Sequence, residues 1–203
     1  MIEGSGLGVW KPLLRANANG RAAYAMMVED PDFKKPLNYQ RAGEGVIDGL
    51  LLPGGHAPGM REYLESTAVQ AMVANAFERA IPVGAICHGV LLAARSKGSN
   101  GKSILFGRRT TALTRSLELT GWILTAAWLG NYYRTYPVTV QAEVMSALAR
   151  PTDFDAGPPA FLRDDPDHLE RGFTVRDGNY LSARWPGDAH RFAVEYSSLF
   201  ESH

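Results

Sequence analysis

Two short apolar runs closed by small residues, with a helical stretch between them, frame the middle of this chain. Val46-Ile47-Asp48-Gly49-Leu50-Leu51-Leu52 reads as a strand ending at Pro53-Gly54-Gly55, and Ile81-Pro82-Val83-Gly84-Ala85-Ile86 reads as a second. Between them Ala68, Met72, Ala76 and Phe77 recur at helical spacing. The three segments make a βαβ unit, which belongs in a parallel sheet with helices on both faces and places ligands at the carboxyl ends of its strands. Gly54-Gly55 and Cys87 both fall at such ends, so the pattern predicts that they converge although they are far apart in sequence.

Helix formers resume at Val90-Leu91-Leu92-Ala93-Ala94, and a polar, glycine-rich loop follows from Lys97 to Lys102. Thr110-Thr111-Ala112-Leu113 reads as a short strand, Ser116 to Leu129 as a helix, Asn131 to Pro137 as an aromatic turn, and the stretch through Leu148 as a further helix. Pro151 to Gly172 is rich in proline and glycine and reads as a long irregular connection. Phe173-Thr174-Val175-Arg176, Asp177-Gly178 and Tyr180-Leu181-Ser182-Ala183 spell a β-hairpin, and the last helix carries Phe192, Tyr196, Leu199 and Phe200 on one face. Upstream of the first strand, Ala22 to Val28 reads as helix. There is no internal repeat.

Composition narrows the class. A length of 203 residues with 45% apolar and 21% charged residues suits one soluble globular domain. Lys plus Arg and Asp plus Glu both total 21, so nothing in the charge balance argues for nucleic acid or an anionic membrane as partner. A single cysteine excludes an internal disulfide and suits a reducing cytosol, so the expected location is cytoplasmic. The start, Met1 to Gly6, has no basic or apolar signal-peptide pattern, and the most apolar stretches (Gly89 to Ala94, Trp122 to Gly130) fall short of the ~20 residues of a membrane span.

The single cysteine is also the main candidate for chemistry. Ile86-Cys87-His88-Gly89 puts it where a strand turns directly into a helix, the arrangement of a nucleophile elbow, in which the side chain projects over the carboxyl end of the sheet. Helix-end potential and the neighbouring His88 predict a thiol more acidic than free cysteine. A buried core cysteine is the alternative reading, and a plain strand-to-helix turn is the alternative for Gly54-Gly55.

Three motifs in order, Asp48-Gly49-Leu50-Leu51-Leu52-Pro53-Gly54-Gly55-His56, Ala85-Ile86-Cys87-His88-Gly89 and Asp177-Gly178-Asn179-Tyr180-Leu181-Ser182-Ala183-Arg184-Trp185-Pro186-Gly187-Asp188-Ala189, together resemble the ThiJ/PfpI superfamily, which is related to the class I glutamine amidotransferases. The segment Gly4 to Arg15 also looks like one carried by some longer members. The resemblance implies a single α/β domain over residues 1–203, with 46–200 as its core and 1–45 as the remnant of an N-terminal region. Its fold is a flavodoxin-like three-layer sandwich with a mostly parallel sheet, a nucleophile elbow at Cys87, and a C-terminal β-hairpin and helix. It also implies Cys87 and His88 as catalytic residues and an oxyanion hole from Gly54, Gly55 and the His88 amide, which suits the two preorganised donors that an oxyanion needs. A homodimer is expected, because family members commonly pair.

Two departures qualify the resemblance. The family's glutamate from a first strand has no counterpart before Val46, so relative to the family the chain reads as lacking an N-terminal strand, helix and strand, with the lost strand expected beside the elbow strand. No histidine stands just after Ala112-Leu113, where some members place one, which leaves His88 as the base and its acidic partner unidentified. His56, Tyr133, Arg134, Tyr136 and Asp188 are the candidate substrate contacts, with Asp188 as a helix cap, and the tyrosines and Arg134 as packing, the alternatives. His190 lies in the same turn as Asp188, while His168 and His203 read as solvated surface. No cofactor is expected and no metal, because no second ligand stands at a recognisable spacing from His56. The expected function is thiolate addition to a small carbonyl, amide or nitrile-like substrate, as in a glyoxalase-type hydratase, an amidase or a hydrolase. The alternative is a non-catalytic redox, stress-response or chaperone protein with an oxidisable Cys87.

Overall fold

A computed structural model describes Lys11 and residues 15–57 and 59–201. Glu3, most of the segment from Gly4 to Arg15, and His203 lie outside the described residues. Among the residues described from Arg15 onward, three helices precede the sheet, α1 (Ala18–Glu29), α2 (Pro31–Lys34) and α3 (Tyr39–Glu44), each started by an Asn or Asp side chain that accepts from a backbone amide of its first turn. The sheet then alternates with helices: β1 (Leu50–Leu52), α4 (Met60–Glu65), α5 (Thr67–Glu78), β2 (Val83–Ile86) and α6 (Gly89–Arg95). Next come α7 (Arg115–Leu129) and α8 (Val140–Ala147), the hairpin β3 (Thr174–Asp177) and β4 (Tyr180–Ala183), and α9 (Ala189–Ser198). Ser66, Thr114 and Thr139 stop the preceding chain and cap α5, α7 and α8 through their hydroxyl oxygens.

The sheet order is β1-β2-β4-β3, with β1-β2 and β2-β4 parallel and β3-β4 antiparallel. Alternation along the strands divides the core into two layers. Leu52, Val83, Ala85 and Tyr180 face the larger cluster with Val69, Val73 and Ala76 of α5, the buried face of α6, and Val140 and Val144 of α8. Leu181 and Ala183 face the other way, against Phe192 and Leu199 at the C-terminal helix. This is the expected three-layer α/β sandwich with its C-terminal hairpin and helix. Among the described residues no helix is long and apolar enough to cross a membrane.

Three expectations about the sheet need correction. The strand expected from Val46 is confined to Leu50–Leu52, because a Cβ at Gly49 would run into the Phe200 ring, so the chain enters the sheet at a close crossing with the last helix. Thr110 to Leu113 makes one isolated bridge to Phe154 instead of a strand. Its threonines spend their hydrogen bonds laterally: Thr110 Oγ1 lies 2.9 Å from the Tyr180 hydroxyl, and the Thr111 amide donates to Ser182 Oγ at 2.9 Å. The elbow strand is paired on both sides, by β1 and β4, so no gap lies beside it. The unpaired edges among the described strands are the outer edges of β3 and of β1, where Leu51 is 52% exposed.

Candidate functional site

The site lies where β1 and β2 end. Cys87 has φ 60°, a left-handed conformation that a non-glycine residue adopts only where the surroundings impose it. Here the Cys87 amide donates to the Ala183 carbonyl at 3.0 Å, which holds the elbow to β4, and α6 begins two residues later. The two neighbouring glycines are required by close approach. A Cβ on Gly54 would lie 2.6 Å from Cys87 Cβ, 2.7 Å from the Ile86 carbonyl oxygen and 2.8 Å from the His88 nitrogen, and one on Gly89 would run into the Leu52 carbonyl. Gly54 therefore presses the end of β1 against the elbow. Gly55 is looser, since its Cβ would meet only the flexible Met60 side chain, at 3.3 Å.

The sulfur of Cys87 is 3.5 Å from His88 Nδ1. The His56 ring stands edge-on to His88 with centroids 4.5 Å apart, and Tyr133 packs on the other side of His56 at 4.7 Å. Cys87, His88 and His56 thus share one pocket of side chains, and one ligand atom from each lies within 4.8 Å of the others. Among the described residues no carboxylate hydrogen-bonds Cys87 or His88, and His88 Nε2 and His56 Nδ1 are buried without a partner.

Burial governs the electrostatics. Cys87 is 5% exposed, and desolvation of a thiolate pushes it up to about 12 against the opposing pull of the His88 amide on the sulfur; the charges of Glu118 and Asp188 push the same way as burial. The expectation of an acidified, exposed thiol is overturned for this reason: the helix-end amide is present, but it does not outweigh removal from water. Desolvation also pulls His56 down to about 4 and His88 to about 3, so at neutral pH both imidazoles are uncharged and hold a free lone pair. The pair is thus a protonated thiol beside a neutral acceptor.

The other candidates divide. Tyr133 joins the cluster, and Tyr132, 6.4 Å from His56, stands behind it. Tyr136 does not: its hydroxyl donates to Glu65 at 2.8 Å and accepts from Arg95 at 3.0 Å, within a network that Glu143 completes. Arg134 turns to Glu118, at 3.3 Å, and to the Pro137 carbonyl. Asp188 is fully buried and does not cap α9 through its side chain; Arg184 binds both its oxygens, at 2.8 and 2.9 Å, and the Phe173 amide donates to it at 3.0 Å. His190 Nδ1 contacts Asp164 at 3.1 Å. Glu118, a buried acid on α7 whose charge acts on Cys87, is the group that sequence reading missed, since one acid in an amphipathic helix carries no pattern of its own.

A protein-family profile described as ThiJ/PfpI family-like matches residues 6–158. A deglycase of Thermococcus kodakarensis is 25% identical over 187 residues, covering 91% of this chain and 77% of that protein. Among solved structures, glyoxalase III of Candida albicans superposes with a TM-score of 0.62 at 16% identity, over 97% of this chain and 75% of that one. The Rapid Encystment Protein of Francisella tularensis does so with a TM-score of 0.61 at 17% identity, over 87% of this chain and 70% of that one.

Proposed function

The chain belongs to the ThiJ/PfpI-like family, and on that premise we propose that it is a cysteine-dependent enzyme acting on small reactive carbonyl compounds, 2-oxoaldehydes such as methylglyoxal. The observation that carries the reading is the 3.5 Å approach of Cys87 Sγ to Nδ1 of a neutral His88 at a left-handed elbow. Nucleophile and acceptor stand together, and the acceptor is in its basic form. The name of the deglycase relative supports chemistry on carbonyl-derived groups.

The proposed sequence of steps balances with water as the only co-substrate. As sulfur bonds to the aldehyde carbon, the S–H proton passes to His88 Nδ1 and the carbonyl oxygen takes up the negative charge. The amides of Gly55 and His88 are its proposed donors; one such donor is worth about 3 kcal/mol. The hemithioacetal carbon then loses its hydrogen as a proton to an imidazole, with His56 the second base available, while the electron pair moves toward the ketone oxygen. Reprotonation at the adjacent carbon leaves a thioester on Cys87, which water cleaves to lactate and free thiol. A substrate carbonyl also removes the main obstacle to the thiol, because the developing charge is carried to oxygen instead of resting on buried sulfur.

Family membership also accommodates a stress protein. Oxidation-sensing cysteines are solvent-accessible, so the 5% exposure of Cys87 speaks against a sulfenic-acid switch, and the neutral His88 beside the sulfur supports the enzyme. Lactate formation from methylglyoxal by the wild-type chain and by Cys87→Ser tests the reading. Turnover lost in the variant supports it, and equal turnover, or none in the wild type, overturns it.

A further inference from the structure

We propose that His56, Cys87 and His88 form a binding site for a thiophilic divalent cation, Zn2+ in the first instance, and that the cation and the carbonyl substrate compete for the same sulfur. Spacing in the sequence supplies His56 with no second ligand, but the fold supplies two, by bringing the end of β1 to the elbow. One ligand atom from each residue lies within 4.8 Å of the other two. The best-defined edge of that triangle, Sγ to Nδ1 of His88, is 3.5 Å. A tetrahedral ion with Zn–S of about 2.3 Å and Zn–N of about 2.0–2.1 Å sets its sulfur and nitrogen ligands about 3.5 Å apart, so this edge is already at the spacing the ion needs.

A further observation points to a cation. His56 keeps Nδ1 buried without a hydrogen-bond partner, so the polar capacity of the cluster is not used up within the protein. A sulfur and two imidazoles select Zn2+ or a similar borderline ion over Mg2+ and Ca2+, which require oxygen ligands. Three protein ligands leave a fourth position open, as in catalytic instead of structural zinc sites. With Nδ1 of His88 toward the ion, its outer nitrogen Nε2 has no acceptor to orient the ring, which places the affinity below that of sites with a complete outer shell.

On binding, Cys87 releases its thiol proton to solvent and the thiolate becomes a ligand, while the two imidazoles bind as neutral donors. The sulfur lone pair that would attack a carbonyl is then committed to the ion. The cation is a reversible block on the nucleophile and protects it from alkylation.

The test uses the full chain, reduced and freed of metal with a chelator. Zn2+ is titrated by calorimetry, and Co2+ is followed by absorption for the thiolate-to-metal charge-transfer band. The expected result is one Zn2+ per chain, a Co2+ charge-transfer band that Cys87→Ser abolishes, and Zn2+ binding weakened at least tenfold by His56→Ala. Circular dichroism establishes that each variant is folded, and His56→Gln stands in for His56→Ala if that variant is not. Absence of stoichiometric binding, or binding equally tight in the folded His56 and Cys87 variants, overturns the proposal. Binding is read without substrate, so a chain inert to methylglyoxal still passes or fails this test on its own.

Discussion

Gly54→Ala adds one methyl group at the point where the loop after β1 touches the elbow. Its carbon would sit 2.6 Å from Cys87 Cβ, 2.7 Å from the Ile86 oxygen and 2.8 Å from the His88 nitrogen. Carbon contacts are comfortable near 3.5–4.0 Å, so the loop and the elbow must separate by about 1 Å, and none of the three atoms is the end of a flexible side chain. Overpacking of this kind costs about 1–3 kcal/mol, and for a chain of this size each kcal/mol lowers Tm by about 2–4 °C, so the expected loss is about 2–12 °C. The same displacement moves the Gly55 amide and His56 away from Cys87 and His88, and a misplacement of about 1 Å costs on the order of 10²-fold in rate. Gly55→Ala is the control: its methyl would meet only the Met60 side chain at 3.3 Å, which can rotate away. Thermal melts and methylglyoxal turnover of the two variants beside the wild type check the reasoning. It is refuted if Gly54→Ala melts with the wild type, or if Gly55→Ala is the more damaging of the two.

Further outcomes follow from the buried charges. Asp188→Ala leaves the Arg184 guanidinium buried and unpaired, its side chain being 2% exposed, and the expected loss of stability is about 3–5 kcal/mol by urea unfolding; a loss below 1 kcal/mol would show that water reaches the gap. Because burial raises the Cys87 thiol to about 12, alkylation of metal-free protein by iodoacetamide should climb with pH throughout the range 7 to 9.5, and a plateau before the ~8.5 of free cysteine would contradict the sign of the shift. The same shift carries a linkage: the thiol stays neutral in the folded chain while the unfolded chain ionises above about 8.5, so its contribution to stability is complete below that pH and is lost as pH rises toward the folded value. Cys87→Ser should flatten that alkaline fall in a pH series of melts, and an unchanged slope would assign it to other groups.

Local pattern made the elbow legible. An apolar run ending in Ile86-Cys87-His88-Gly89 and helix formers after it placed Cys87 at a strand-to-helix turn, and the φ of 60° is the structural form of that pattern. What local pattern does not carry is strand order. The elbow strand accepts β1 on one side and β4 on the other, so the open edges among the described strands lie at β1 and β3 and not beside the elbow strand, where one was expected. Thr110-Thr111 shows the limit of β-propensity, because the Thr110 hydroxyl bonds Tyr180 and Ser182 and the Thr111 amide bonds the Ser182 hydroxyl, side-chain partners that stand in for a ladder. Tyr136 and Arg134 are equally opaque in sequence: a tyrosine and an arginine beside a cleft look like substrate contacts until Arg95, Glu65 and Glu118 are found to engage them. The upward shift of Cys87 had no signature in sequence, since it depends on how completely α6, α7 and the β1 loop exclude water, and helix-end potential alone gives the opposite sign.

The central claim is that Cys87 and His88 act as one unit, and kinetic additivity tests it most directly. Lactate formation from methylglyoxal is measured for the wild type, Cys87→Ser, His88→Ala and the double variant, all confirmed folded. Groups that share one proton transfer are lost together, so the account predicts that each single variant falls by a similar large factor, on the order of 10³ or more, and that the double variant falls no further. Independent losses that multiply in the double variant, or wild-type turnover by Cys87→Ser, would contradict it.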